Sequence, residues 1–208
     1  MVGTVRLPGT GMDLSTLDSS GDYRGRDRLL NVEELLRALV AEGHIYAPQA
    51  ALTGHLVLTT LHTNDAVGSI TRFLDLKVQP YLMRSALIGV AAQRLVRTLC
   101  PHCKAPAATS PDEWNNLVAP FDLPEPGQVF IARGCDECRH TGYLGRIGIF
   151  EVMRLSSALM GHITESPELG PLRKSAMREG MRSLRASGAE KVKAGLTSVA
   201  EVLAVVQS

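Results

Sequence analysis

The chain has no long apolar run. Its greasiest stretch, SALIGVAA at Ser85–Ala92, meets Gln93 and Arg94 far short of the ~20 apolar residues that cross a bilayer. No membrane-spanning helix is expected. The opening MVGTVRLPGTGMDLSTLDSS also lacks the unbroken apolar core of an export signal. A surplus of one charge sign is missing too, since 22 Lys and Arg face 21 Asp and Glu for a net charge of +1. Nucleic-acid binding asks for a basic face, usually with aromatics among the basic residues. Aromatics make up only 4% of this chain and do not interleave with its basic residues, so no nucleic-acid partner is expected. These absences describe a cytosolic chain that would reach a membrane only through partner proteins.

What is present suits a folded protein. Hydrophobic residues make up 45% and charged residues 21% of 208, enough for one substantial core or two small ones. Residues 1–28 mix Gly, Asp, Ser and Arg without periodicity and read as a loop-like leader. NVEELLRALVAEG then predicts an amphipathic helix, capped by Asn31, with Glu34 at its third position and Gly43 ending it. The run HLVLTT predicts a buried strand of a parallel sheet, followed by a helix from Asn64 or Asp65 to Leu76. Pro80 opens a further helix expected to reach Leu99, with Leu82, Ala86, Leu87, Val90, Leu95 and Leu99 on its buried stripe.

After Cys100 the texture turns to short loops rich in Pro, Gly and Cys. SPDEWNNLV predicts one small helix, with Ser110 and Glu113 as a capping box and Pro111 at its first position. GRIGIFEVM reads as a strand. Helices are expected around Ser157–Ile163, Pro167–Glu179 and Leu184–Ala194, and again in TSVAEVLAVV, where Ser198 and Glu201 form a second capping box.

The four cysteines fall into two pairs, CPHC (Cys100, Cys103) and CDEC (Cys135, Cys138), with 31 residues between them. A two-residue spacer lets both thiolates face one point, and two such turns complete a tetrahedron around zinc. A closed shell of four thiolates leaves no position for water or substrate, so the metal would be structural. Two disulfides, or iron on the same sulfurs, are the alternatives. His102 and His140 lie near enough to substitute for a cysteine but are expected to face solvent.

The segments AALTGHLVLTTLHTNDA, AQRLVRTLCPHCK, GCDECRHTGYLGRIGIFEVM and GMRSLRASGAEKVKAGLTSVAEVLAVV together resemble the C-terminal part of type II secretion and type IV pilus assembly ATPases, the GspE/PilB group. The resemblance runs from about Ala50 to Val206 in unbroken order. It implies an α/β fold: a truncated RecA-like core fragment, a tetracysteine zinc module and a C-terminal helical bundle. Residues 1–49 would be an unmatched leader with one amphipathic helix, 50–99 the partial core, 100–151 the zinc module and 152–208 the helical subdomain. The GHL…LHTN stretch corresponds to the family's His box, which implies nucleotide-sensing roles for His55 and His62. An imidazole beside a phosphate can donate a charge-assisted hydrogen bond that is lost on hydrolysis. Taken alone, either histidine reads as an ordinary structural side chain.

The same resemblance implies ATP and magnesium as cofactors, a hexamer as the working form, and platform proteins of the inner-membrane secretion or pilus machinery as partners. Yet the sequence holds no G-x-x-x-x-G-K-[ST] loop; GTGMDLST lacks the Lys-Ser or Lys-Thr, and no acidic strand end precedes Ala50. Arg24, Arg26 and Arg28 do not match the family's arginine fingers. The expectation is a chain that does not hydrolyse ATP alone, as a remnant of a motor gene, a product read from a displaced start, or an accessory subunit.

Overall fold

The computed structural model describes residues 51–52, 58–121 and 123–206, together with the backbone of 22–24 and 29–31. Most of the amphipathic helix expected after Asn31 lies outside the described residues, as do Thr53–Val57. Strands β1 (Asp22–Arg24) and β2 (Leu29–Asn31) form an antiparallel hairpin with Tyr23 opposite Leu30. Within the stretch read as patternless, strand pairing therefore forms, and Asn31 ends a strand where a helix cap was expected.

The described end of HLVLTT departs from the expected buried strand. Leu58–Thr60 is irregular and Leu58 is 82% exposed. The described sheets are all two-stranded, and none offers this segment a neighbour. Helix α1 (Gly68–Asp75) follows, started by Asp65, whose carboxylate accepts the Gly68 N–H at 2.6 Å. Helix α2 (Pro80–Ala86) opens on the expected proline but stops thirteen residues before Leu99.

Beyond it the chain becomes strand β3 (Gly89–Leu99) instead of more helix. The reason is a period of two. Val90, Ala92, Arg94, Val96 and Thr98 turn inward to varying depth, while Gly89, Ala91, Gln93, Leu95 and Arg97 are exposed. The apolar stripe assigned to a helix mixed the two faces, and Leu95 is half exposed. β3 pairs with β6 (Tyr143–Arg154), the strand expected at GRIGIFEVM. The Leu155 N–H bonds the Ile88 carbonyl at one end and the Cys100 N–H bonds the Gly142 carbonyl at the other, so the two strands run in opposite directions.

Between them lie β4 (Ala105–Ala107), helix α3 (Pro111–Val118) and β5 (Val129–Ile131), with Pro106 opposite Phe130 in the antiparallel β4–β5 pair. Ser110 caps α3 by accepting the Glu113 N–H, and Pro111 holds the first position, as expected. The tail supplies α4 (Ser157–Met160), α5 (Leu169–Arg178), α6 (Leu184–Lys193) and α7 (Val199–Val205), close to the expected spans.

The chain divides into two compact units. One holds residues 1–90 and 154–175, tied by an Arg173–Asp65 ion pair at 2.6 Å and by Arg84 donating to the Ile163 carbonyl. The other holds residues 91–153 and 176–208. Its core joins Val96 of β3, Ile149 of β6, Trp114, Leu117 and Val118 of α3, Val129 of β5, and residues of α6 and α7. Trp114 is sealed in this core while its indole N–H donates to the Leu123 carbonyl at 2.9 Å. Residues of β3, α3, β5 and β6 thus share a core with α6 and α7.

Candidate metal centre

Each cysteine pair sits on a tight turn whose backbone curls around its own sulfurs. In the first, the Cys103 and Lys104 N–H groups both return to the Cys100 carbonyl. In the second, the Asp136–Cys138 turn and the His140 N–H close on the Cys135 carbonyl, and the chain leaves through left-handed backbone at Arg139 and His140. Gly142 then brings the second turn against the first. Its φ of +77° favours glycine, and a Cβ there would lie 2.5 Å from the Ala132 side chain.

This folding brings the four sulfurs together, all within 4.8 Å of one another. Cys100–Cys135 is 3.9 Å, Cys103–Cys138 is 3.8 Å and Cys135–Cys138 is 3.8 Å. Four sulfurs at ~2.3 Å from a shared tetrahedral centre lie about 3.8 Å apart, so the spacing is that of a metal-sized tetrahedron. All four are free thiols, so the disulfide alternative is not realised. The donor set fits a metal ion. His102 and His140 are exposed as expected and stand outside the cluster, with His140 Nε2 held at 3.0 Å from Asp136.

Backbone amides complete the surroundings. Gly134 donates its N–H to Cys103 Sγ at 3.3 Å, while Cys135 and Gly142 each donate to Cys138 Sγ at 3.2 Å. Burial opposes ionisation of Cys138, but these two amides, together with hydrogen bonds from the Cys103 and Cys135 thiols, bring it down to about 6. At Cys135 a backbone hydrogen bond favours the thiolate, yet burial and the facing sulfurs of Cys103, Cys138 and Cys100 push it up to about 11. Without a cation Cys135 therefore resists ionisation. A dication reverses that balance, because each thiolate then faces a positive charge. The amide donors were not legible from the cysteine spacing, although Gly142, four residues after Cys138, was the available signal.

His62 is not among the clustered residues. His55 lies outside the described residues, and His62 is exposed on the irregular segment before α1. The anchor of that segment is Asp65. One carboxylate oxygen takes the Gly68 N–H and the other takes Arg173, while the Thr63 and Ser69 hydroxyls meet at 2.9 Å.

The chain belongs to the type II/IV secretion system protein family, whose model matches residues 41–204. Among individual proteins it is similar to a type IV pilus assembly ATPase, TfpB, of Acinetobacter baylyi, at 50% identity over 160 residues covering 77% of this chain and 27% of that protein. It is also similar to the type II secretion system protein E of Aeromonas hydrophila, at 46% identity over 76% of this chain and 31% of that protein. The pilus assembly ATPase PilB of Thermus thermophilus matches at 39% identity over 76% of this chain and 18% of its own length. The chain thus spans less than a third of each of these relatives.

Proposed function

We propose that this chain supplies the zinc-stapled C-terminal part of a secretion or pilus-assembly motor ATPase. The observation that carries the reading is a closed set of four cysteine sulfurs at tetrahedral spacing within a stretch matched to the family. Cys100, Cys103, Cys135 and Cys138 would hold zinc, which supplies a cross-link and no open coordination position. His62, and His55 upstream of it, belong to the sensing segment of a RecA-like core, and the working form is a hexamer acting on inner-membrane platform proteins from the cytoplasmic side.

ATP and magnesium serve the assembled motor. This polypeptide carries no lysine-bearing phosphate loop, so it lacks the groups that position a γ-phosphate and stabilise its transfer. The Asp65 anchor fits a relay role, since it fixes the segment three residues after His62 to both α1 and α5. Two measurements on the purified chain test the reading. Metal analysis is expected to find about one zinc per chain, as four thiolates close one tetrahedral site, and phosphate release from magnesium-ATP is expected to stay at background. Steady turnover abolished by His62→Ala would overturn the view that phosphoryl transfer needs groups from outside this chain. Full zinc loading with a nucleotide-independent melting temperature favours a pure interaction module over a sensing one.

A further inference from the structure

The two cysteine turns are clamped to a segment that contributes no ligand, the corner between α6 and α7 at residues 195–198. Leu99, one residue before Cys100, donates its N–H to the Leu196 carbonyl at 2.8 Å. Lys104, one residue after Cys103, donates its ammonium to the Gly195 carbonyl at 2.9 Å while lying 4.7 Å from the centre of the Phe130 ring. Tyr143, directly after the Gly142 whose amide reaches Cys138 Sγ, shares a hydrogen bond of 2.8 Å with the Ser198 hydroxyl. That hydroxyl also caps α7 by accepting the Glu201 N–H at 3.2 Å. Thr197, fully buried, donates to the Arg97 carbonyl at 2.8 Å. Leu99 and Lys104, which flank Cys100 and Cys103, and Tyr143, next to the Gly142 whose amide bonds Cys138 Sγ, thus grip the turn that ends α6 and starts α7.

We infer that metal occupancy at the four cysteines sets the order of the α6–α7 corner, with Lys104 and Tyr143 as the positioning residues that carry the coupling. The inference rests on the metal reading proposed above. The physical route is short: Lys104 and Leu99 are bound covalently to ligands, so any relaxation of the Cys100–Cys103 turn moves both donors off the corner. Coupling of this kind is reciprocal, so loosening the corner must weaken the metal as much as removing the metal loosens the corner. Neither Lys104 nor Tyr143 touches the sulfurs, which separates this effect from loss of a ligand.

The test uses the full chain with zinc and a competing chelator. Lys104→Met keeps the aliphatic stem and removes the ammonium, while Tyr143→Phe keeps the ring beneath Arg97 and removes only the hydroxyl. Both are expected to lower zinc affinity by about tenfold, within the usual span of coupling between sites. Zinc removal is expected to speed amide exchange across 195–201 in the wild type. Unchanged zinc affinity in both variants overturns the inference, as does unchanged exchange at the corner while zinc leaves; the metal reading survives either result. A wild-type chain that takes up no zinc overturns both.

Discussion

At the scale of single residues, the Arg97–Glu201 pair shows how unequal the two ends of an ion pair can be. The Arg97 side chain is 53% exposed and Glu201 is 5% exposed. Glu201 accepts the Arg97 N–H and the guanidinium Nε, both at 2.9 Å, and a second guanidinium nitrogen. Arg97 in turn lies 4.2 Å from the Tyr143 ring centre. Removing the arginine strands a buried carboxylate, whereas removing the carboxylate leaves a cation that water already reaches. Arg97→Met is therefore expected to destabilise the chain by about 2 kcal/mol and Glu201→Gln by less than 1, measured by urea unfolding of the zinc-loaded protein. The Arg97 side chain holds the Glu201 carboxyl below its usual 4.5, against burial that pushes it up, with the Arg97 N–H adding to the effect. A lowered carboxyl contributes stability above its ordinary range and loses it as pH falls through the folded value. Acidification below about pH 4.5 should thus weaken wild type more steeply than Glu201→Gln.

The same residue corrects a local reading. Ser198 makes its half of the expected capping box, but the Glu201 carboxylate is spent on Arg97, 104 positions away in sequence. A three-residue motif can announce a helix start. It cannot say that a better, charged donor will be delivered by a distant strand.

Among the elements, α6 and α7 pack so closely that one position tolerates no side chain. A Cβ added at Gly188 would collide with the Val202 methyls. Alanine gains about 1 kcal/mol over glycine inside a helix, while overpacking a filled core costs about 1–3 kcal/mol. Gly188→Ala is therefore expected to destabilise on balance, read as a lower denaturation midpoint with an unchanged slope. Helices with strong start signals were legible: Pro80, Pro111 and Ser110, and Ser198 each mark an observed first turn. The β3 strand was misassigned because a run of Leu, Val and Ala satisfies two periods at once. Pairing with β6, 44 residues beyond its end, decides in favour of the extended form.

At the largest scale, the cysteine module shares one compact unit and one core with the last two helices, α6 and α7. The core of residues 91–153 and 176–208 draws on β3, α3, β5, β6, α6 and α7 together. Binding energy at a four-thiolate site is folding energy. Chelation is accordingly expected to open protease sites across Cys100–Glu151 and also within α6 and α7, which mass mapping of a limited digest would show. Protection of α6 and α7 after zinc loss would mean that the helices stand without the staple. No described helix is long and apolar enough to cross a membrane.

The sequence by itself determined the cysteine pairs, several helix starts and the family, because each is written in local spacing: two residues between paired thiols, a proline or a capping serine at a first turn. Tertiary structure alone decided which amides reach the sulfurs, that Arg97 takes the Glu201 carboxylate, and that Lys104 and Tyr143 grip the α6–α7 corner. Those contacts join residues up to 104 positions apart, and only the closing of the chain on itself brings such partners within hydrogen-bonding distance.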